Sequence, residues 1–221
     1  MDLEAPAPVR WRIDHVIGSD GFYGAERMVV SLAREQSERG HEVAICCSGP
    51  EAAVGHVSRE AGRVGLQFTP LANHPFAIFR LLRDQAWQHT SLPHVIHSHG
   101  YKADISVAAA RGSLKNKALV STRHGNTHAP IGTRLWFYYM AARFARLSMN
   151  ARVRVGPRAD LSRLNHYGEA VIPNGIREAA LSDLLEGASP GRRERSMLQV
   201  LALGRLSKEK GFDILLDSLP R

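Results

Sequence analysis

The sequence predicts an α/β protein with a Rossmann-like parallel sheet and helices on both faces of that sheet. Short apolar segments typical of strands alternate along the chain with amphipathic segments typical of helices. Loops that contain glycine or proline separate these segments. Because strands joined through helices return to the same sheet by right-handed crossovers, the alternation favours parallel strands.

The first elements are the clearest. Residues 10–17 have strand character and lead into a glycine-rich loop at 18–24. Apolar residues then recur at helical spacing until Gly40, which is typical of a helix end. Residues 42–48 form the next predicted strand, on which Cys46 and Cys47 point to opposite faces as reduced packing residues.

The rest of the chain continues the alternation of strands and helices and then becomes polar. We expect strands at 66–70, 94–98, 118–122, 153–155 and 170–172, and helices at 51–62, 76–89, 103–111, 133–150 and 159–166. A polar segment follows and is interpreted as a linker, after which a strand at 200–203 and a helical pattern begin a second domain. The predicted domains are 1–177 and 198–221, joined by the linker at 178–197.

The composition restricts the partners. Lys and Arg number 29 against 21 Asp and Glu, so the formal charge of +8 favours anionic partners. Because nothing but charge supports nucleic acid, no such partner is expected. The amino-terminal segment lacks the apolar core of a signal peptide, and the longest apolar run, 135–142, is too short to cross a bilayer. The sequence therefore predicts a cytoplasmic protein.

Unusual residues follow several predicted strands, where ligands bind in parallel sheets. The loop at 18–26 lacks the spacing of the dinucleotide fingerprint, which argues against a nicotinamide or flavin enzyme. His97 and His99 share a strand face and, with His94, form a candidate metal set. No carboxylate accompanies them, so we expect no metal, and hydrogen bonds to substrate or backbone are the favoured interpretation.

Two further loops contain candidate binding residues. His124 ends a buried strand immediately before a glycine, a place that suits contact with a substrate, although a purely structural histidine is the alternative. Arg205 and Lys210 lie between the last predicted strand and helix. Such a strand–loop–helix unit suits an anionic ligand, because the helix start adds free N–H groups and a positive dipole.

Six segments, taken together, resemble the retaining glycosyltransferases of family 4, which have the two-domain GT-B architecture. In chain order they are the glycine-rich loop with Ala25-Glu26, RGHEV at 39–43, HVIHSHG at 94–100, TRHG at 122–125, VIPNGI at 171–176 and LGRLSKEKG at 203–211. The resemblance implies the amino-terminal half of a GT-B fold followed by an incomplete donor-binding domain. It also implies polysaccharide biosynthesis with a nucleotide-sugar as substrate and no cofactor or metal.

The resemblance assigns roles to residues. Arg205 and Lys210 match the cations that hold the donor diphosphate, and Gly24 matches a loop position beside the phosphates. His124 matches the catalytic-site residue at the donor sugar. Tyr23 stands where the family usually has glycine, and it is expected to reshape the acceptor pocket. The acceptor-side candidates are Tyr23, His99 and Lys102.

Several expectations concern the chain as a whole. It lacks the family's later donor-domain elements, so the isolated chain is expected to have little or no transferase activity. Its strand at 200–203 is expected to self-associate, because it would be an exposed edge strand. Aromatic and basic residues interleave in helix 133–154 and suggest contact with an anionic membrane, which would suit a lipid-linked acceptor. The alternatives to a glycosyltransferase are a non-catalytic module that binds a glycan or partner, or a GT-B-like sugar-nucleotide epimerase.

Overall fold

A computed structural model describes residues 9–84, 89–124, 129–155, 169–173, 175, 202 and 211–218. The chain divides into two units, Met1–Gly175 and Ile176–Arg221. In the second unit the described residues form one short helix, α6 (Phe212–Asp217). The predicted helix at 159–166, linker at 178–197 and strand at 200–203 lie outside the described residues, apart from position 202.

The first unit is a seven-stranded, fully parallel sheet with helices on both faces, as predicted. Its strands are β1 (Arg12–Gly18), β2 (Glu42–Ser48), β3 (Gln67–Leu71), β4 (His94–His99), β5 (Lys117–His124), β6 (Ala151–Val155) and β7 (Ala170–Ile172). The helices in its described residues are α1 (Gly24–Glu38), α2 (Glu51–Arg63), α3 (Ala77–Arg83), α4 (Tyr101–Ala110) and α5 (Arg134–Arg146), with a 3-10 turn at Arg111–Ser113.

The strand order is β3-β2-β1-β4-β5-β6-β7. The chain therefore builds outward from β1 to β3, returns to the other side of β1, and continues to β7. The reversal lies between β1 and β4, where consecutive crossovers leave on opposite sides of the sheet. This topology places the loops that follow β1, β4 and β5 at one edge.

Two apolar clusters hold the layers together. One joins α1 and α2 to a sheet face that carries Ile17, Ile45 and Cys47, and the other joins α3 and α4 to the opposite face, which carries Val16 and Cys46. The two adjacent cysteines are thus buried on opposite faces, as the strand period requires. Among the helices of the described segments, none is long and apolar enough to cross a membrane.

Several predicted boundaries differ from the structure, and for three of these elements the structure shows the reason. The described part of the helix predicted at 76–89 ends at Arg83, because the backbone of Asp84 is extended. The helix predicted at 133–150 begins at Arg134, where the hydroxyl of Thr133 caps it by accepting the Trp136 N–H, and it ends at Arg146. Strand β5 continues past 122 to His124, which pairs with Val155 of β6.

Candidate active site

A cleft of about 420 Å³ opens at the carboxyl ends of β1, β4 and β5, beside the reversal of strand order. Ligands of open parallel sheets bind at this kind of position, because the diverging crossovers leave a gap there. The residues around the cleft come from β1, β4, β5 and the helices α1, α4 and α5. They include Gly18, Glu26, His99, Asp104, Arg123, His124, Tyr139, Arg143 and Arg146.

The glycine-rich loop after β1 is held by a buried carboxylate. Glu26, in the first turn of α1, accepts the Ser19 hydroxyl at 2.8 Å and the Tyr23 N–H at 2.8 Å. The Ser19 N–H in turn donates to the carbonyl of Ser48 at the end of β2. The loop is therefore tied both to its own helix and to the neighbouring strand, and Gly24 begins α1 at its end.

Lys102 ties the same loop to α4. Its ammonium lies 2.8 Å from the Asp20 carboxylate, and its aliphatic carbons pack against Gly18, where an added Cβ would lie 3.0 Å from that of Lys102. Lys102 lines a separate cavity of about 650 Å³ together with Phe76, and not the cleft of His124. The structure thus separates Lys102 from the other predicted site residues of β4 and β5.

Three histidines and a glutamine form a continuous hydrogen-bonded row, which we call the imidazole chain. Gln36 Oε1 lies 2.7 Å from His15 Nε2, His15 Nδ1 lies 2.9 Å from His99 Nε2, and His99 Nδ1 lies 3.1 Å from His124 Nε2. The row crosses from α1 over β1 and β4 to β5. His15 and His99 are buried, and both His99 and His124 line the cleft.

Burial keeps these imidazoles neutral. It lowers the pKa of His15 to about 4 and holds the pKa of His99 well below its usual range, with neighbouring histidines lowering the latter further. The pKa of His124 is also lowered by burial, although the Glu26 charge raises it in part. A neutral imidazole has one N–H and one lone pair, so each ring can donate one hydrogen bond and accept another.

A metal site at these histidines would need a different set from the one the sequence suggested. His94 hydrogen-bonds with Asp14 on the other face of the sheet, while His15, His97 and His99 have ligand atoms within 4.8 Å of one another. However, His15 and His99 engage both ring nitrogens in the imidazole chain, and His97 Nε2 contacts the Thr122 hydroxyl at 2.7 Å. Hydrogen bonding therefore accounts for the cluster within the described residues.

Asp104 is, after Glu26, a second buried carboxyl group beside the cleft. Its Oδ1 accepts hydrogen bonds from the hydroxyls of Ser98 and Ser121 at 2.6 and 2.7 Å, whereas the buried Oδ2 has no hydrogen-bond partner in the part of the chain that the structure describes. Burial raises the pKa of Asp104 to about 6, although the two serine hydroxyls oppose the shift. The carboxyl group is thus half-ionised near pH 6 and mostly ionised at neutral pH.

We expect Asp104→Asn to be more favourable at pH 8 than at pH 5. The folded-state pKa of Asp104 is above the unfolded value, so the native carboxyl favours folding below pH 4 and loses that contribution as the pH rises through 6. Asparagine stays neutral, so the variant's free energy of unfolding relative to wild type should improve by about 1 kcal/mol between pH 5 and pH 8. Urea titrations at both pH values measure this, and an unchanged difference would contradict the assignment.

Arginines make one wall of the cleft positive. Arg123 at the end of β5 and Arg143 and Arg146 on α5 line it. Among the carboxylates of the described residues, Glu169 pairs with Arg123 at 3.3 Å. Burial lowers the pKa of Arg123, and the nearby Arg146 lowers it further. The Nε groups of Arg123 and Arg146 are buried and have no hydrogen-bond partner among the described residues, so this wall attracts an anion through its positive charge.

The structure brings together some of the predicted site residues. His99 and His124 meet at the cleft, and Gly24 begins the helix next to it. Tyr23, 48% exposed, precedes Gly24. Arg205 and Lys210 lie outside the described residues. The assigned roles of all these residues stay predictions.

Sequence reasoning missed the partners that hold the site. His15 and Gln36 lie 21 positions apart on different elements, and only the packing of α1 against β1 brings them together. Asp104 could have been noticed, because it stands in the apolar pattern of α4. Glu26 was named in the glycine-rich motif, but its position three residues after the helix cap, where it completes a capping box, was not used to predict its role.

Comparisons with known proteins place this fold and site in context. The sequence profile of Glycosyltransferase Family 4 matches residues 22–179, more than half of the chain. A glycosyltransferase from Rickettsia africae is similar in structure, with a TM-score of 0.52, 15% identity, and coverage of 80% of this chain and 49% of the other. HepE from Anabaena, solved with UDP and glucose, gives a TM-score of 0.52, 15% identity, and 79% and 49% coverage. No curated protein matches. The chain therefore spans about half the length of these two structures.

Proposed function

Because the chain belongs to glycosyltransferase family 4, we propose that it takes part in moving a sugar from a nucleotide-sugar donor to a glycan or lipid-linked acceptor. The nucleotide-sugar is suggested by HepE, which binds UDP and glucose and shares this fold. The cleft at the carboxyl ends of β1, β4 and β5 is large enough to hold a monosaccharide. Its polar lining of imidazole, guanidinium and carboxyl groups suits a hydroxyl-rich ligand.

The proposed chemistry is substitution at the anomeric carbon of the donor with retention of configuration. The bond from that carbon to the diphosphate breaks, and a bond to an acceptor hydroxyl forms. Negative charge develops on the departing diphosphate, so fixed positive charge lowers the barrier. We assign this role to Arg205 and Lys210, and the arginine wall of the cleft adds positive potential close to the reacting groups.

The observation that carries this proposal is the position of His124. It is the last residue of β5, it lines the cleft, and its ring is held by His99 at 3.1 Å. A ring fixed in this way can contact a bound sugar without a cost in side-chain entropy. In the proposed function His124 contacts the donor sugar, while Tyr23 and Lys102 remain candidates for the acceptor side.

We expect His124→Ala to lower nucleotide release from a nucleotide-sugar about 100-fold, a loss typical for one preorganised polar contact at a reacting centre. The measurement is the release of nucleoside diphosphate from a panel of nucleotide-sugars, with and without glycan acceptors. The control is His89→Ala, which changes an exposed histidine. Equal losses in both variants, or none in His124→Ala, would count against the site. The anomeric configuration of the product, read by NMR, tests retention.

We also propose that the protein acts at the cytoplasmic face of a membrane through α5 and the residues beside it. Large apolar side chains are exposed there, with Ile131 at 86%, Phe137 at 60%, Phe144 at 65% and Leu147 at 66%. Phe137 and Phe144 are seven residues apart and so lie on the same side of the helix. Basic residues on the same helix complement an anionic lipid surface.

The double variant Phe137→Ser/Phe144→Ser should bind vesicles that contain phosphatidylglycerol at least tenfold more weakly than wild type. The reason is the loss of two aromatic side chains from the lipid boundary. Co-sedimentation at low salt measures the effect. The matched control is Val9→Ser, which removes an equally exposed apolar side chain elsewhere. Absence of vesicle binding by the wild-type protein would rule out the membrane contact.

A further inference from the structure

We propose that Gln36, His15 and His99 fix which ring nitrogen of His124 carries the proton, so that Nδ1 of His124 is the hydrogen-bond acceptor presented to a ligand. The three residues are positioning residues, because they act through His124. The consequence for a sugar ligand rests on the proposed function. The protonation pattern itself depends only on the imidazole chain.

The direction of hydrogen-bond donation along the imidazole chain follows from Gln36, its first member. Gln36 presents its carbonyl oxygen, Oε1, to His15 Nε2 at 2.7 Å. A carbonyl oxygen can only accept, so Nε2 of His15 must carry the proton. The ring is neutral, which leaves Nδ1 of His15 as a lone pair, 2.9 Å from Nε2 of His99.

The proton positions on the next two rings are fixed in the same way. His15 Nδ1 accepts, so His99 must donate from Nε2, and His99 Nδ1 becomes a lone pair. That lone pair lies 3.1 Å from His124 Nε2, which must then donate. His124 is left with an unprotonated Nδ1 on a ring that lines the cleft. One amide oxygen on α1 thus sets the proton position on β5, three hydrogen bonds away.

The setting supports neutral rings throughout. His15 and His99 are 0% and 1% exposed, so a charged ring would lose nearly all of its hydration. Burial lowers the pKa of each ring in the chain. A neutral ring with both nitrogens engaged is fully satisfied, and reversing one ring alone would set two N–H groups or two lone pairs against each other. All three rings of the imidazole chain must therefore exchange their donor and acceptor nitrogens together.

The inferred pattern gives His124 a chemical preference. An unprotonated Nδ1 accepts a hydrogen bond from a hydroxyl group but offers nothing to a carboxylate or carbonyl oxygen. A bound sugar would therefore meet His124 through a hydroxyl group. On this view His99, predicted above as an acceptor contact, acts through His124 instead of touching the acceptor.

The test reads the proton positions directly. Protein labelled with ¹⁵N-histidine is studied at pH 8 by long-range ¹H–¹⁵N correlation spectra, which distinguish protonated from unprotonated ring nitrogens. We expect Nε2–H on His15, His99 and His124 in the wild type. In Gln36→Met the His15 N–H loses its acceptor, so the chain should reverse and move the His124 proton largely to Nδ1. Gln36→Glu retains an acceptor oxygen and should restore the wild-type pattern, and Ser37→Ala, on the exposed next residue, should leave it unchanged.

Wild-type protein with Nδ1–H on His124 would overturn the proposal, and so would a folded Gln36→Met variant whose His124 keeps its proton on Nε2. If Gln36→Met does not fold, the wild-type and Gln36→Glu spectra still decide. Turnover is a separate readout. Where a nucleotide-sugar is consumed, kcat/KM should fall by up to about tenfold in Gln36→Met, because a hydroxyl placed to donate to Nδ1 of His124 would have to turn and accept from it, and stay near the wild-type value in Gln36→Glu. Failure of the proposed function would remove that activity and leave the spectra as predicted.

Discussion

Replacing Gly49 by alanine is expected to destabilise the protein by about 3 kcal/mol, the upper end of the range for overpacking. A Cβ at Gly49 would lie 1.9 Å from the backbone carbonyl oxygen of Ser19, far inside van der Waals contact. The carbonyl belongs to a buried residue whose N–H is already bonded to Ser48. Relief of the clash therefore requires displacement of the whole loop after β1, which borders the cleft.

The matched control is Gly62→Ala. Gly62 lies in α2, and an added Cβ there meets no heavy atom within 4 Å. Because alanine favours helix more than glycine does, this variant should be neutral or more stable by up to about 1 kcal/mol. Urea or thermal unfolding of both variants measures the difference. Similar stabilities for the two variants would show that the loop does not pack on Gly49 as described.

Acidification from pH 8 to pH 4 is expected to lower the free energy of unfolding by about 3 kcal/mol through His15 alone. Its folded-state pKa of about 4 lies below the unfolded value of 6.5. The unfolded chain therefore binds a proton first, so stability is full above pH 6.5 and falls as the pH drops toward 4. His97 and His99, whose pKa values are also held low by burial, act in the same direction.

One buried group opposes this trend. Asp104 has a raised pKa and favours folding as the pH falls below 6, so its contribution partly offsets that of the histidines. Asp104→Asn should therefore lose more stability on acidification than wild type does, and His15→Gln should lose less. Urea unfolding at pH 8, 6 and 4 separates the two effects. Equal losses of stability on acidification in wild type and in His15→Gln would show that His15 is not buried in neutral form.

The fold was predictable because its signals are local. Strands β2 and β7 have the predicted bounds, since each is a short apolar segment closed by turn residues. The parallel sheet follows from the alternation of strands and helices alone. The ends of helices were less predictable. The stop of α3 at Arg83 depends on the backbone of Asp84, and no glycine or proline at that position announces it.

The candidate site was predictable only in part, because most of the hydrogen bonds that hold it join distant segments of the chain. The residues at the ends of β4 and β5, His99 and His124, follow from the rule that ligands bind at the carboxyl ends of parallel strands. The contact of Gln36 with His15 depends on how α1 packs over β1. The hydrogen bond between His94 and Asp14, on the other face of the sheet, depends on the register of β4 against β1. Sequence spacing alone does not encode either relation.

The central claim is that this cleft receives the sugar of a nucleotide-sugar, and the most direct measurement is a titration of ¹⁵N-histidine-labelled protein with nucleotide-sugars, UDP-glucose first. We predict that the chemical shifts of the His124 ring change until the site is saturated, and that those of His99 also change because the two rings share a hydrogen bond. The chemical shifts of the exposed His89 should not change. Binding of a nucleotide-sugar that leaves the ring resonances of His124 unperturbed would contradict this claim.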